Sequence, residues 1–272
     1  MPNDKEPAVT DAPRTVHIRP RYYRLFTDPG TELAEENYRY RELDWPLRLD
    51  QAALISLDVW NYHYSRDTLE RIEDISVNRI APLVAACRAG GLQVIHAPAG
   101  PVAQKSPNWV QLMPDDEKPQ PRYPKSPVWP PAEFRQKEGA YAEFGRPHEP
   151  QQAEIARQRE EVRDFHPAVR PVGDEAVVLT GEELHRVCAQ RGILFLIYVG
   201  FNTNACIVMR DYGTLRMKER GYDVILVRDC TTGMETHETK PDLVCTRGQI
   251  ASLEQFGVYT VTSDQLVAAL AE

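Results

Sequence analysis

Residues 192–233 contain a short apolar segment followed directly by a polar turn, and this pairing constrains the fold more than any other stretch of the chain. Residues 193–199 are apolar and lie between two glycines, which is typical of a strand buried on both faces of a parallel sheet. Turn-forming residues follow at 200–204, and from Cys206 apolar positions recur at helical spacing up to Gly221. The sequence therefore predicts that Cys206 begins a helix at the carboxyl end of a buried strand.

Cys206 differs in its position from the other four cysteines of the chain. Free cysteines usually fill space in a core, and this is our interpretation of Cys87, Cys188, Cys230 and Cys245. Open α/β sheets bind their ligands at the carboxyl ends of the strands, where Cys206 is expected. The dipole and free N–H groups of a helix that begins there lower a cysteine pKa and hold an oxyanion. Cys206 is therefore the candidate nucleophile.

A second candidate follows residues 52–57, an apolar run that predicts another buried strand. Asp58 closes this run, and a carboxylate that is partly desolvated there has a raised pKa and suits a general base. An aspartate in this position also caps strand ends and helices, so the residue alone permits both interpretations. Its combination with Cys206 favours the catalytic one.

Residues 200–207 read Gly-Phe-Asn-Thr-Asn-Ala-Cys-Ile and resemble the nucleophile loop of the isochorismatase-like cysteine hydrolases, which include nicotinamidases and N-carbamoylsarcosine amidases. The resemblance covers most of residues 50–262 apart from a long insert. It implies that Cys206 is the nucleophile and that Asp58 is the base. It also implies a cis peptide before Asn202 and an oxyanion hole made by the backbone amides of Asn202 and Cys206.

The chain departs from the family pattern in its lysines. The family places a catalytic lysine near the end of the strand predicted at residues 176–179, whereas this chain has no lysine between Lys137 and Lys218. Three explanations stay open: a lysine from the insert, a substitute near that strand, or a catalytically silent relative. Asp58 and the Cys206 loop argue against silence. The insert lysines are Lys105, Lys118, Lys125 and Lys137, and the candidate substitutes are Arg170, Glu175 and Glu183.

Metal-binding relatives carry an Asp-x-His pair at the second strand, whereas this chain has only His96 there, with no aspartate nearby. We therefore predict no catalytic metal. Glycine-rich phosphate loops are also absent from the sequence, so we predict no nucleotide cofactor. Side chains expected to bind the substrate lie after the first strand, at the second strand and in the nucleophile loop; they are Trp60, Asn61, His63, His96 and Phe201.

Strands and helices alternate through residues 51–272, which predicts one α/β domain with a doubly wound, mostly parallel sheet and helices on both faces. The resemblance implies six strands in the order 3-2-1-4-5-6. Residues 1–15 are expected to be a mobile tail, and residues 16–50 an arm that packs on the domain or on a neighbouring subunit. Residues 98–173 hold 14 of the 22 prolines and form an insert, which we interpret as a lid or a subunit interface.

Composition narrows the classes of function. The formal net charge of −8 and the lack of a basic tract argue against a nucleic-acid partner, and no apolar run is long enough to span a membrane. Five cysteines without a C-x-x-C pair fit the cytoplasm. The sequence thus predicts a cytoplasmic, homo-oligomeric hydrolase of an amide-type C–N bond in a small molecule. The alternatives are a binding protein without turnover and a vinyl-ether hydrolase, and Cys206 favours the amide over the vinyl ether.

Overall fold

The computed structural model describes residues 13–113 and 128–272, and an eight-stranded sheet lies at its centre. Ten strands are numbered in chain order: β1 Thr15–Ile18, β2 Arg21–Arg24, β3 Arg39–Glu42, β4 Trp45–Arg48, β5 Ala52–Leu57, β6 Gln93–Ala97, β7 Ala176–Val177, β8 Phe195–Phe201, β9 Asp223–Thr232 and β10 Tyr259–Val261. Across the large sheet their order is β3-β2-β10-β9-β8-β5-β6-β7. Six neighbouring strands of this sheet are parallel, and in spatial order they are β7, β6, β5, β8, β9 and β10. Counted from β5 along the chain, this is the predicted order 3-2-1-4-5-6. The prediction of a mostly parallel α/β fold is confirmed.

The sheet has eight strands rather than six because residues 16–50 extend one edge of it. β2 pairs antiparallel with β10 and with β3, while β1 and β4 form a separate two-stranded sheet. An edge strand such as β10 exposes unpaired backbone groups, and β2 covers part of that edge. The arm is therefore built into the domain. Thr15, which we assigned to the mobile tail, belongs to β1, and residues 1–12 lie outside the described part of the chain.

Ten α-helices are numbered within the described ranges: α1 Arg66–Ile75, α2 Ala81–Gly90, α3 Gly100–Lys105, α4 Ala132–Gln136, α5 Gln152–Glu161, α6 Gly181–Arg191, α7 Cys206–Met209, α8 Thr214–Glu219, α9 Val244–Gln255 and α10 Ser263–Ala271. Two apolar clusters show that helices cover both faces of the sheet. Leu54 of β5 belongs to one cluster with residues of α2 and α10, and its neighbour Ile55 belongs to the other with residues of α6 and α9. None of the helices in residues 13–113 and 128–272 is long and apolar enough to cross a membrane.

The helix predicted from Cys206 to Gly221 is in fact two short helices, α7 and α8. The chain leaves helical geometry at Arg210, which is extended with φ −61° and ψ 151°. Two hydrogen bonds hold the turn that follows, from Thr214 Oγ1 to Ile207 O at 3.0 Å and from Gly213 N to Arg210 O at 2.9 Å. Arg210 therefore lies at a break that the apolar spacing did not reveal.

The end of the insert packs beside the carboxyl end of β5. Phe165 forms an isolated bridge with Trp60, and the N–H of Asn61 donates to Asp164 O at 3.2 Å. The side chain of Asn61 adds a bond from Nδ2 to Val162 O at 3.2 Å. These contacts fix the segment after α5 against the strand that carries Asp58, next to the predicted site.

Candidate active site

Asp58 follows β5, whose six residues are all buried, and its own side chain is fully buried as well. Its φ of 50° lies in the left-handed region, which aspartate adopts more readily than most residues. The backbone N–H of Asp58 donates to Ala97 O on β6 at 3.1 Å, so the turn is anchored to the neighbouring strand. This conformation holds the carboxylate at the carboxyl edge of the parallel sheet.

The nucleophile loop begins where β8 passes very close to β5. Gly200 has a φ of +122°, and a Cβ at this position would lie 1.8 Å from Leu57 O, so only glycine permits the approach. The Phe201-Asn202 peptide that follows is cis, as the resemblance implies. The close strand ends bring the loop beside Asp58.

Cys206, Asp58 and Arg210 form one connected group. The thiol of Cys206 lies beside the Asp58 carboxylate and interacts with it. Arg210 donates to Asp58 Oδ2 from Nε at 3.2 Å and from Nη2 at 3.1 Å. Trp60 Nε1 donates to Asp58 Oδ1 at 3.2 Å. Both carboxylate oxygens are therefore engaged, one by a cation and one by an indole.

Burial dominates the protonation of this group. It raises the pKa of Asp58 above its ordinary value, although Arg210 acts in the opposite direction. Burial and the neighbouring Asp58 charge raise the pKa of Cys206 to about 11, while Arg210 and the backbone N–H of Asn202 partly offset this. We expected the start of a helix to lower the pKa of Cys206. α7 has only four residues, and the net effect of the surroundings is a raised pKa, with desolvation as the largest cause.

Arg210 is a cation beside Asp58 and Cys206, and the sequence analysis missed it. A signal was present, because Arg210 lies four residues after Cys206, and residues four apart share one face of a helix. The predicted helix would have brought both side chains to the same side. In the structure, the extended backbone at Arg210 brings its side chain to this group instead.

The three substitutes considered instead lie away from Cys206. Glu175 binds Arg88 and His96, with 2.7 Å from Arg88 Nε to Oε1 and 2.9 Å from His96 Nε2 to Oε2. Glu183 accepts from Trp109 Nε1 at 3.0 Å and from the N–H of Leu179 at 2.6 Å. These two carboxylates hold neighbouring segments together. The third, Arg170, pairs with Asp164 at 2.9 Å on the exposed side of the insert.

The insert lysines that the structure describes are also engaged elsewhere. Lys105 Nζ donates to the backbone oxygen of Glu160 at 3.1 Å, and Lys137 Nζ lies 3.5 Å from the ring centroid of Phe134. Neither lines the cavity at Cys206. Lys118 and Lys125 lie outside the described residues.

A cavity of 260 Å³ opens at Cys206. Of the predicted substrate-binding residues, Trp60 and His63 line it, and burial lowers the pKa of His63. Asn61 faces a separate cavity of 500 Å³, and Phe201 is fully buried behind Trp60, with ring centroids 6.4 Å apart. The residues lining the Cys206 cavity are Trp60, Tyr62, His63, Tyr64, Arg159, Arg163, Asn202, Ala205, Cys206, Arg210 and Met234.

His96 does not reach this cavity. It is fully buried, and its ring packs edge-on against Phe165 with centroids 5.8 Å apart. Burial lowers the pKa of His96, while the hydrogen bond with Glu175 raises it. Within residues 13–113 and 128–272, no group of three or more His, Cys, Asp and Glu side chains lies close enough to hold a metal ion. His96 thus has a carboxylate partner in the core.

Comparison with known proteins identifies the family. The profile of the Isochorismatase domain matches residues 52–265, which is most of the chain, so the chain belongs to the isochorismatase family and is a hydrolase of that family. No curated protein matches the chain.

The chain is also similar to solved structures. A cysteine hydrolase from Pseudomonas syringae pv. phaseolicola 1448A is similar with a TM-score of 0.55 and 17% identity, over 84% of this chain and 95% of that one. An N-carbamoylsarcosine amidase from Thermoplasma acidophilum gives a TM-score of 0.43 and 17% identity, over 79% of this chain and 97% of that one. At such identities the likeness concerns the fold alone.

Proposed function

We propose that this chain hydrolyses an amide-type C–N bond of a small molecule, with Cys206 as the nucleophile and Asp58 as the general base. The observation that carries the proposal is the position of the Cys206 thiol, which lines a cavity, beside the buried carboxylate of Asp58. A nucleophile, a base within hydrogen-bond reach and a third group that orients the base define this kind of site. Here the third group is Arg210.

In the first half-reaction, Asp58 accepts the thiol proton while the sulfur of Cys206 attacks the substrate carbonyl carbon. The backbone N–H of Asn202 already contacts the Cys206 sulfur, so it lies near the carbon under attack. Cys206 is the first residue of α7, and its own N–H has no acceptor within that helix. These two N–H groups hold the developing oxyanion.

The tetrahedral adduct then collapses. Asp58 returns its proton to the leaving nitrogen, the C–N bond breaks, and an amine or ammonia departs from a thioester on Cys206. A water molecule that loses its proton to Asp58 attacks the thioester carbonyl. The carboxylic acid leaves, and the proton passes from Asp58 back to the Cys206 sulfur.

Arg210 serves this cycle as a fixed positive charge. A guanidinium stays protonated at all working pH values, so unlike a lysine it cannot pass protons. Its charge favours the ionised form of Asp58 and lowers the pKa of Cys206, which offsets part of the cost of burying both. We propose that Arg210 replaces the family lysine in its electrostatic role, and that Asp58 carries out every proton transfer.

The experiment that tests the proposal measures ammonia or amine release from a panel of small primary amides and N-carbamoyl compounds. We expect turnover by the wild-type protein and none by Cys206→Ala, because the removed side chain is the nucleophile. Cys245→Ala is the matched control, since Cys245 is also a free, half-buried cysteine but lies on α9. Turnover that survives in Cys206→Ala would disprove the nucleophile assignment.

A further inference from the structure

The cavity at Cys206 carries more positive charge than its reaction group needs. Three arginines line it, Arg159, Arg163 and Arg210. Arg210 is paired with Asp58. In the described part of the chain, no carboxylate pairs with Arg159 or Arg163. The chain as a whole has a formal net charge of −8, so two unpaired cations in one cavity stand out against it.

Aromatic rings hold these two arginines in place. The guanidinium carbon of Arg163 lies 5.9 Å from the ring centroid of Trp60, and that of Arg159 lies 5.2 Å from the ring centroid of Tyr64. Tyr62 also lines the cavity and holds α5 beside it, because its hydroxyl donates to Gln158 Oε1 at 2.7 Å. Both guanidinium groups are thus preorganised on a surface that includes two aromatic rings.

Arg163 also has a side-chain nitrogen that makes no hydrogen bond within the described residues. This nitrogen is Nε, which is buried. Burial lowers the pKa of Arg163, which reflects the cost of desolvating its charge, and the Asp58 charge recovers part of that cost. A half-buried cation without a paired anion is costly, and a bound anion would offset the cost.

We propose that the substrate of this site carries a carboxylate, and that Arg159 and Arg163 bind it. The proposal rests on the hydrolase function proposed above and adds the substrate class: a small, planar amide with an anionic group. Arginine matches carboxylate and phosphate geometry alike. The carboxylate is favoured because it is the smaller anion and the 260 Å³ cavity must also hold the reacting amide. Both arginines belong to the insert, so the insert would determine substrate specificity.

The test measures binding by calorimetry in a Cys206→Ala background, with benzoate, its neutral analogue benzamide, and phenyl phosphate. This background lacks the nucleophile, so the result is independent of turnover and separates this proposal from the catalytic one. We expect benzoate to bind about tenfold or more tightly than benzamide. Adding Arg163→Gln or Arg159→Gln should weaken benzoate binding by about tenfold and leave benzamide binding unchanged.

Arg157→Gln is the matched control because Arg157 lies on α5, as Arg159 does, pairs with Glu154 and Glu161, and does not line the cavity. It should leave benzoate binding unchanged. Circular dichroism of each variant checks that the fold is kept. The proposal is overturned if benzoate binds no more tightly than benzamide, including the case in which neither binds, or if both arginine variants bind benzoate normally. Tighter binding of phenyl phosphate through the same arginines would overturn the choice of carboxylate.

Discussion

Two carboxylate–arginine pairs in this molecule have opposite electrostatic behaviour. Arg88 donates hydrogen bonds to both carboxylate oxygens of Glu175, from Nε to Oε1 at 2.7 Å and from Nη2 to Oε2 at 2.9 Å. His96 and the N–H of Val172 form further hydrogen bonds with Oε2. Burial alone would raise the pKa of Glu175, but these hydrogen bonds lower it to about 2. The carboxylate is held ionised, which suits a structural role.

Asp58 is also paired with an arginine, but its pKa is shifted in the opposite direction. Both contacts from Arg210 go to one oxygen, at 3.1 and 3.2 Å, and the second oxygen receives the indole of Trp60. The aspartate is also fully buried, and burial raises its pKa. The number and length of the bonds, together with burial, thus set the pKa of each carboxylate: Glu175 stays ionised, whereas Asp58 can accept a proton.

The largest expected effect comes from removing the base. Asp58→Asn keeps the shape of the side chain but cannot accept the thiol proton, so turnover should fall by about 10²- to 10⁴-fold. The melting temperature should change little, because the variant removes the cost of burying the Asp58 charge, and this offsets the loss of the anion that pairs with Arg210. Assays of turnover and of thermal unfolding on the same sample check both expectations. If Asp58 were only a cap, asparagine would serve as well and turnover would survive.

A smaller effect on turnover is expected from removing the charge of Arg210. Arg210→Met removes the charge that lowers the pKa of Cys206, so that pKa should rise above its wild-type value of about 11 and turnover should fall by about tenfold or more. The rate of Cys206 alkylation as a function of pH measures the shift. Arg210→Lys should restore part of the turnover, because it returns the charge without the paired contacts. An unchanged alkylation profile in Arg210→Met would show that Arg210 does not act on the thiol.

The sequence predicted the parallel core of the fold because apolar runs such as residues 52–57 must be buried on both faces, and because strands and helices alternate. It could not predict the two extra strands from residues 16–50. Their pattern of arginine and tyrosine has no clear period, and their pairing depends on the edge that β10 presents. Long-range pairing of this kind depends on the partner strand and cannot be predicted from the segment alone.

The site was predictable to the extent that local sequence determines it. Cys206 and Asp58 were found because each follows a buried strand, and the structure brings them into contact. Arg210 was missed because its position depends on a break between α7 and α8, which Gly213 and Thr214 create through bonds to nearby backbone oxygens. Arg159 and Arg163 were missed because their charges looked like part of a solvated helix. Only the folded insert turns them toward the cavity.

The smallest effect on turnover is expected from the structural pair, Glu175 and Arg88. Glu175→Gln leaves Arg88 and His96 without their ionised partner, so it should lower the free energy of unfolding by about 1–3 kcal/mol. Turnover should stay within about twofold of wild type, because none of these residues lines the Cys206 cavity.

The pH dependence of stability identifies the cause of this loss. The pKa of Glu175 is lowered on folding, from the ordinary 4.5 to about 2, so its stabilising contribution is fully present above about 4.5 and is lost as the pH falls toward 2. The difference in stability between wild type and Glu175→Gln, measured by urea unfolding, should therefore be largest near neutral pH and should shrink below pH 4.5. A difference that stays constant over this range would mean that packing, and not the ionised carboxylate, accounts for the loss. Loss of turnover in Glu175→Gln at neutral pH would instead place the Glu175 group within the reaction machinery, and the contrast with Asp58 would fail.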